Sequence, residues 1–191
     1  MTNYLSIIAA AALVNNLILI QLFGVSSLLN STKRLPQAIE FALFNFVVLF
    51  LASVINLSAY RFILIPFHLE FFRLVVFVAT SALLTTLFLQ VITRHFPFSR
   101  RQQHLLLFLT GGNSAVLAAS LLSSISVLTL GESIAYSFGA ALGYSLIIVG
   151  FAALRTRLEF ADVPAPFRGS AIQLITAGLV TISLLGFAGL T

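Results

Sequence analysis

Long stretches without a single charged side chain are the feature that most limits what this chain can form. Six blocks free of Asp, Glu, Lys, Arg and His cover residues 1–32, 41–60, 74–93, 105–131, 133–154 and 169–191. Since about 20 residues at a rise of about 1.5 Å each cross the roughly 30 Å hydrocarbon core of a bilayer, every block is long enough for one span. The sequence therefore predicts an all-α integral membrane protein with six transmembrane helices.

Composition excludes a soluble fold. Of the 191 residues, 60% are hydrophobic and 8% are charged, and the mean hydropathy is +1.10. One soluble domain of this size can neither bury so much apolar surface nor cover it with so few charges. No loop is long enough for a soluble domain, so we expect residues 1–191 to form a single membrane domain. The first block has no basic segment ahead of it, which indicates a retained span and not a signal peptide.

Basic residues are divided unevenly between the loops. The loops after the first, third and fifth blocks hold eight of the ten Lys and Arg residues, and the loop after the second block holds the other two, Arg61 and Arg73. The positive-inside rule then places the first three loops in the cytoplasm. We therefore expect a multi-pass protein of the bacterial cytoplasmic (inner) membrane with both termini on the outer, periplasmic side.

The first and fourth blocks are longer than a span requires, and both contain polar residues and glycines. These residues are Asn15, Asn16, Gln21, Gly24, Gly111, Gly112 and Asn113. Glycine weakens a helix, and backbone groups freed at membrane depth are tolerated only inside protein or along a cavity. This pattern predicts that the first and fourth helices are broken at mid-membrane. The alternative is that Asn and Gly only tighten helix packing.

The positions of these two blocks, first and fourth of six, also predict internal symmetry. Three spans in each half place the second half in the opposite orientation, which gives two inverted three-helix repeats at about 1–93 and 103–191.

In the fifth block, Gly139 and Gly143 have the small-xxx-small spacing that allows two helices to approach closely.

Titratable residues give no sign of a catalytic centre. His68, His95 and His104 are scattered at span boundaries and match no metal-ligand spacing. Glu132 stands alone in the turn between the fourth and fifth blocks, and no acidic residue falls within a span. A proton-relay transporter that works through its own buried carboxylate is therefore disfavoured. We expect the chain not to be a catalyst by itself, and we predict no catalytic residue.

The last loop and the helix after it resemble a known family of membrane subunits. The matching residues are DVPAPFRG at 162–169, AI at 171–172 and LITAGL at 174–179. This stretch resembles the signature of the A subunit of Rnf/Rsx electron-transport complexes and is similar to the E subunit of sodium-pumping NADH:quinone reductase. The resemblance extends to both predicted breaks, to VNN at 14–16 with Leu19 and Gly24, and to NSAVL at 113–117.

The resemblance implies a membrane subunit of a redox-driven, ion-translocating electron-transport complex of the ferredoxin/NADH oxidoreductase type. In that family the subunit carries electrons across the membrane together with a homologous subunit of opposite topology. Each of the two contributes two half-helix cysteines to a shared two-iron, two-sulfur cluster. The cluster passes electrons between cytoplasmic iron–sulfur carriers and flavins on the far side, coupled to movement of Na⁺ or H⁺.

This sequence departs from the family pattern at the cluster. The two cysteine positions fall at Ser26 and Ser114, and the chain contains no cysteine. Ser27 stands where the family has proline, and Gly111 and Gly112 stand where it has two threonines. A thiolate is a soft, readily deprotonated iron ligand, whereas a serine hydroxyl is hard and resists ionisation.

Several explanations of the two serines are open. The chain is a paralogue that keeps the fold and the partner contacts without the cluster, or its complex moves electrons through another cofactor, or serine is an unusual ligand. An engineered cysteine-free variant is a further explanation. The candidate cofactor positions are Ser26 and Ser114, which are also the candidate metal ligands, together with Asn15, Asn16, Gly24, Gly112 and Asn113.

A second class of function is also open. The chain could form an inverted-repeat transporter or channel for a small solute or cation, without any redox centre. Asn15, Asn16, Asn113 and the carbonyls freed at the breaks would then bind the solute. The missing cysteines favour this hypothesis, and the match at 162–169 favours the membrane subunit of a complex.

Overall fold

The computed structural model describes residues 4–31, 35–95, 100–125, 129–158 and 160–186. Within these ranges the chain is helical and contains no strand. Four segments are long and apolar enough to cross a membrane, and they are Leu35–Leu64, Glu70–Arg94, Leu106–Ile125 and Leu130–Leu158. The prediction of an all-α chain with several membrane-length helices is confirmed.

The helices follow one another along the chain with short interruptions. They are α1 (Tyr4–Ala9), α2 (Val25–Ser31), α3 (Leu35–Ala59), α4 (Arg73–His95), α5 (Arg100–Gly111), α6 (Ser114–Ile125), α7 (Leu130–Leu158) and α8 (Ser170–Leu185). Wider π-helical turns extend α1 over Ala10–Val14 and α3 over Tyr60–Leu64. Single 3-10 turns occupy Glu70–Phe72 and Ala165–Phe167.

The first and sixth predicted spans correspond to shorter apolar helices, Tyr4–Val14 and Ser170–Leu185. Residues 1–3, 32 and 187–191 of those two blocks lie outside the described residues. The count of six spans therefore stays a prediction, as do the inverted repeat and the depth of the breaks in the membrane. By contrast, the interruptions themselves are present, because regular helix is absent between Val14 and Val25 and stops again between Gly111 and Ser114.

Two long helices form the centre of the protein. α3 packs against α7, α6 and α4, and α7 also packs along α1 and the π-helical turn that follows it. A Cβ atom added at Gly139 would lie 2.6 Å from the carbonyl oxygen of Ile8, and one added at Gly143 would lie 2.6 Å from the Cα atom of Ala12. The predicted close helix contact at these two glycines is confirmed.

Glu132 has a different place from the one that its position in the sequence suggested. It lies in the first turn of α7 and is only 7% exposed. Its Oε2 atom accepts a hydrogen bond from the backbone N–H of Thr129 at 2.7 Å, and Thr129 Oγ1 accepts one from the Glu132 N–H at 3.4 Å. The prediction of an isolated turn residue is therefore wrong, because Glu132 completes a capping box that satisfies the first amides of a membrane helix.

Candidate site at the two helix breaks

The first break covers residues 15–24 and is organised by one buried side chain. Asn16 is fully buried, and its Nδ2 atom donates to the carbonyl oxygen of Ala12 at 2.8 Å. Its Oδ1 atom accepts from the backbone N–H groups of Ile18 at 3.0 Å and Leu19 at 3.4 Å. A single amide thus satisfies backbone groups on both sides of the point where the helix stops, which membrane burial demands.

The first break ends at a glycine that no other residue replaces without strain. Gly24 is buried and has a φ of +79°, in the left-handed region. A Cβ atom there would lie 2.8 Å from Asn113 Oδ1 and 2.8 Å from Tyr144 Cε2. Both the backbone angle and the space around it require glycine. The Gly24 N–H donates a hydrogen bond to Ser114 Oγ at 3.0 Å.

The second break is short and is built around Asn113. Its Oδ1 atom accepts from the Ala115 N–H at 3.0 Å, which makes Asn113 the N-cap of α6. Its Nδ2 atom donates to the Tyr144 hydroxyl at 2.7 Å and lies 3.4 Å from Asn45 Oδ1. Asn113 therefore begins α6 and at the same time links it to α7 and α3.

The fold brings the two breaks together. Besides the bond between Gly24 and Ser114, the Ser27 hydroxyl donates to the carbonyl oxygen of Leu109 at 3.0 Å. Among the residues that the sequence pointed to, Gly24, Asn113 and Ser114 meet, while the hydrogen bonds of the Asn16 side chain stay within its own segment. The remaining candidates are exposed at the breaks, and they are Asn15, Ser26 and Gly112; Ser114 is also exposed, although its hydroxyl accepts the bond from Gly24.

Sequence reasoning missed two buried members of this cluster, Asn45 and Tyr144. Both are fully buried, and both contact Asn113. A signal was present for Asn45, since another asparagine, Asn56, follows 11 residues later on nearly the same face of α3. Asn56 is also fully buried and donates to Ser120 Oγ at 2.9 Å. A buried polar stripe on α3 therefore faces α6.

Histidine and acidic side chains do not gather into a second site in the described ranges. No group of three His, Cys, Asp or Glu residues there is arranged to hold a metal ion. The loop that carried the resemblance folds on itself, because Arg168 Nε donates to the carbonyl oxygen of Val163 at 2.8 Å across the Ala165–Phe167 turn. Arg155 donates to the carbonyl oxygen of Leu29 at 3.0 Å and so ties α7 to the C-terminal turn of α2.

Comparison with known proteins gives the same family along the whole chain. Residues 4–191 match the family described as Rnf-Nqr subunit, membrane protein. The chain is 38% identical over 190 residues to the A subunit of the ion-translocating oxidoreductase complex of Histophilus somni (strain 2336), covering 100% of this chain and 98% of that relative.

Two further relatives carry the same name. The protein of Actinobacillus pleuropneumoniae serotype 5b (strain L20) is 39% identical over 193 residues, covering 100% of this chain and 98% of the relative. That of Vibrio vulnificus (strain YJ016) is 37% identical over 190 residues, covering 100% and 99%. The resemblance inferred from the last loop and the two breaks is confirmed, and the chain belongs to the Rnf-Nqr family of membrane subunits.

Proposed function

We propose that this chain is the A-type membrane subunit of an ion-translocating oxidoreductase complex. The observation that carries the proposal is the match along the whole chain to relatives named as the A subunit of such a complex. An unrelated transporter with a similar helix pattern would not share 38% of its residues over 190 positions with these proteins. The chain would act as one part of a redox-driven ion translocase and not as an enzyme alone.

We further propose that it crosses the membrane six times as two inverted three-helix repeats. The order of elements supports this arrangement. A broken helix (α1–α2), a long helix (α3) and a third helix (α4) are followed by a broken helix (α5–α6), a long helix (α7) and a third helix (α8). The two long helices pack against each other at the centre, as two related halves of an inverted repeat would.

In the same proposal, the protein lies in the bacterial cytoplasmic membrane with both termini on the outer side. The excess of Lys and Arg in alternate loops supports this orientation. The loop at 160–169 would then face the cytoplasm, with Arg168 exposed within it and Arg157 exposed at the end of α7 beside it. These side chains would meet the soluble redox subunits of the complex.

A homologous subunit of opposite topology is the partner that we propose for the two breaks. Ser26, Gly112 and Ser114 are exposed there in a chain that is otherwise rich in apolar residues. Lipid tails offer no hydrogen bonds to hydroxyl and backbone groups, so polar surface at membrane depth requires protein or water beside it. A second broken-helix subunit would supply matching polar groups.

Co-purification tests the proposed function. The chain would be tagged in its native host, extracted in mild detergent and analysed by mass spectrometry for proteins that elute with it. We expect the other subunits of one oxidoreductase complex at a constant ratio, and we expect deletion of the chain to abolish ion transport driven by the complex in inverted membrane vesicles. A chain that elutes alone, with vesicle transport unchanged by its deletion, would contradict the proposal.

A further inference from the structure

The side chains at the family's cluster positions do not fit the cluster that the family implies. Those positions hold Ser26 and Ser114, whose hydroxyls are hard oxygen donors that stay protonated near neutral pH. Iron–sulfur clusters are held by thiolates, which are soft and ionise readily. Because the chain contains no cysteine, no neighbouring residue supplies the missing thiolates.

Ser114 already has a structural partner. Its Oγ atom accepts a hydrogen bond from the backbone N–H of Gly24 at 3.0 Å. This amide lies in the first break, where regular helix does not pair it, and an unpaired amide within a membrane is costly. A hydroxyl oxygen is a good acceptor at this distance, whereas a thiol sulfur is a weak one. Serine is therefore suited to joining the two breaks directly.

Ser27 makes a second bond between the same segments. It is 2% exposed, and its hydroxyl donates to the carbonyl oxygen of Leu109 in α5 at 3.0 Å. Ser26 differs from it, because its side chain is exposed and its hydroxyl makes no hydrogen bond to the part of the chain that the structure describes. The two breaks are thus connected by the hydroxyls of Ser114 and Ser27, with Ser26 outside the connection.

We infer that this chain ligates no iron–sulfur cluster. The hydrogen bonds of the Ser114 and Ser27 hydroxyls, which join the two breaks to each other, hold these segments together where the family has a cluster. The assignment rests on the proposed function, because the cluster positions come from the family to which the chain belongs. Its consequence is that the chain serves its complex as a membrane scaffold that joins other subunits, and not as a carrier of electrons.

Iron content tests the first half of this inference. The complex would be purified through the tagged chain, and iron, acid-labile sulfide and the electron paramagnetic resonance spectrum of the reduced sample would be compared between wild type and Ser26→Ala/Ser114→Ala. We expect equal iron and sulfide and identical spectra. Loss of about two iron atoms per complex in the variant, the content of one such cluster, would overturn the inference.

Ser26→Ala alone keeps this test decisive if the double variant does not assemble. The Ser26 hydroxyl is exposed and unbonded within the described ranges, so its removal should leave folding unchanged. Loss of iron in that single variant would establish serine ligation. Iron equal to wild type would support a chain without a cluster.

Amide hydrogen exchange tests the second half, on the purified chain in detergent. Ser114→Ala removes the acceptor of the Gly24 N–H, and we expect exchange in a peptide covering residues 22–28 to become about three- to tenfold faster. Ser114→Thr keeps the hydroxyl and should keep the protection, and Ser26→Ala is the neutral control. Unchanged exchange in Ser114→Ala would overturn the hydrogen-bond assignment.

The two tests also separate this inference from the proposed function. Exchange at Gly24 depends on contacts inside the chain and needs no partner protein. A chain that elutes alone, yet shows the expected exchange pattern, would refute the complex and keep the bond between the breaks. A chain that elutes with its complex, yet loses iron on serine replacement, would keep the proposed function and refute the absence of a cluster.

Discussion

The two helix breaks differ in length and in what holds them. The first runs over residues 15–24 and includes two residues with left-handed backbone, Leu22 at φ +58° and Gly24 at φ +79°. The second separates α5 from α6 by only two residues, Gly112 and Asn113, without positive φ at either. An ordinary N-cap is enough to begin α6 at the second break, whereas the first depends on neighbours that are distant in sequence.

Because of this difference, the first break depends on residues of the second, whereas the second begins its helix through a local bond. The bond from Asn113 to Ala115 is local and forms as soon as α6 forms. The conformation of Gly24, by contrast, needs the space left by Asn113 and Tyr144 and the hydrogen bond to Ser114. We therefore expect substitutions at the first break to cost more stability than equivalent ones at the second.

Gly24→Ala should have the largest effect. The new methyl group would lie 2.8 Å from Asn113 Oδ1 and would also disfavour the positive φ. Left-handed backbone costs alanine about 1 kcal/mol and overpacking about 1–3 kcal/mol, so we expect a loss of about 2–4 kcal/mol. Thermal unfolding of the purified protein in detergent measures it.

Gly169→Ala is the control for backbone strain without a steric clash. Gly169 also has a positive φ, +85°, but a Cβ atom there meets nothing within 4 Å. Its ψ is −130°, in a region that is almost restricted to glycine, so we expect alanine there to lose about 1–3 kcal/mol from the backbone alone, without a steric contribution. Equal losses at both glycines would show that contact with Asn113 and Tyr144 does not determine the first break.

Asn16→Ala should have the next largest effect. The substitution removes the acceptor of the Ile18 and Leu19 amides and the donor to Ala12. Buried backbone groups left unpaired cost about 1–3 kcal/mol, and we expect a loss near the middle of that range. Asn15→Ala is the control in the same unfolding experiment, because the Asn15 side chain is exposed. A loss in Asn15→Ala as large as in Asn16→Ala would contradict the role given to Asn16.

Sequence reasoning located the breaks but not their dependence on each other. Paired asparagines and adjacent glycines in charge-free blocks were enough to predict where helices stop. Glycine at 24 and glycine at 112 have the same sequence signal, and only tertiary neighbours show that one is buried and the other exposed. Asn45 and Tyr144 escaped notice because their partner, Asn113, lies 68 and 31 residues away.

Capping of α7 could have been predicted from the sequence alone. Thr129 and Glu132 have the spacing of a capping box, a Thr followed three residues later by a Glu at the start of an apolar helix. Glu132 was interpreted only as an isolated charge, although its spacing from Thr129 predicts the cap. Local hydrogen bonding of this kind follows from spacing, whereas the contacts of Asn113 with α3 and α7 follow from packing.

Tyr144→Phe should have a smaller effect, of about 1 kcal/mol. It removes the hydroxyl that accepts from Asn113 Nδ2 at 2.7 Å and keeps the buried ring against Gly24. A double-mutant cycle with Asn113→Ser, which keeps the N-cap of α6 and loses the amide donor, measures the coupling. We expect about 0.5–1 kcal/mol of coupling, and a value near zero would show that Tyr144 and Asn113 are held independently.

Gly112→Ala should have the smallest effect, although its glycine was as prominent in the sequence as Gly24. Gly112 is exposed, its φ is not positive, and an added Cβ atom meets only the carbonyl oxygen of Phe108, at 3.3 Å. Alanine also restricts the unfolded chain more than glycine does, which stabilises the fold by about 0.4–1 kcal/mol at a compatible backbone position and offsets that tight contact. We therefore expect unfolding of the isolated chain to change by less than about 0.5 kcal/mol. If assembly with the partner protein falls while this stability stays constant, Gly112 lies at the contact between the chain and its partner. A large loss of stability in the isolated chain would instead mean that the second break is as sterically constrained as the first.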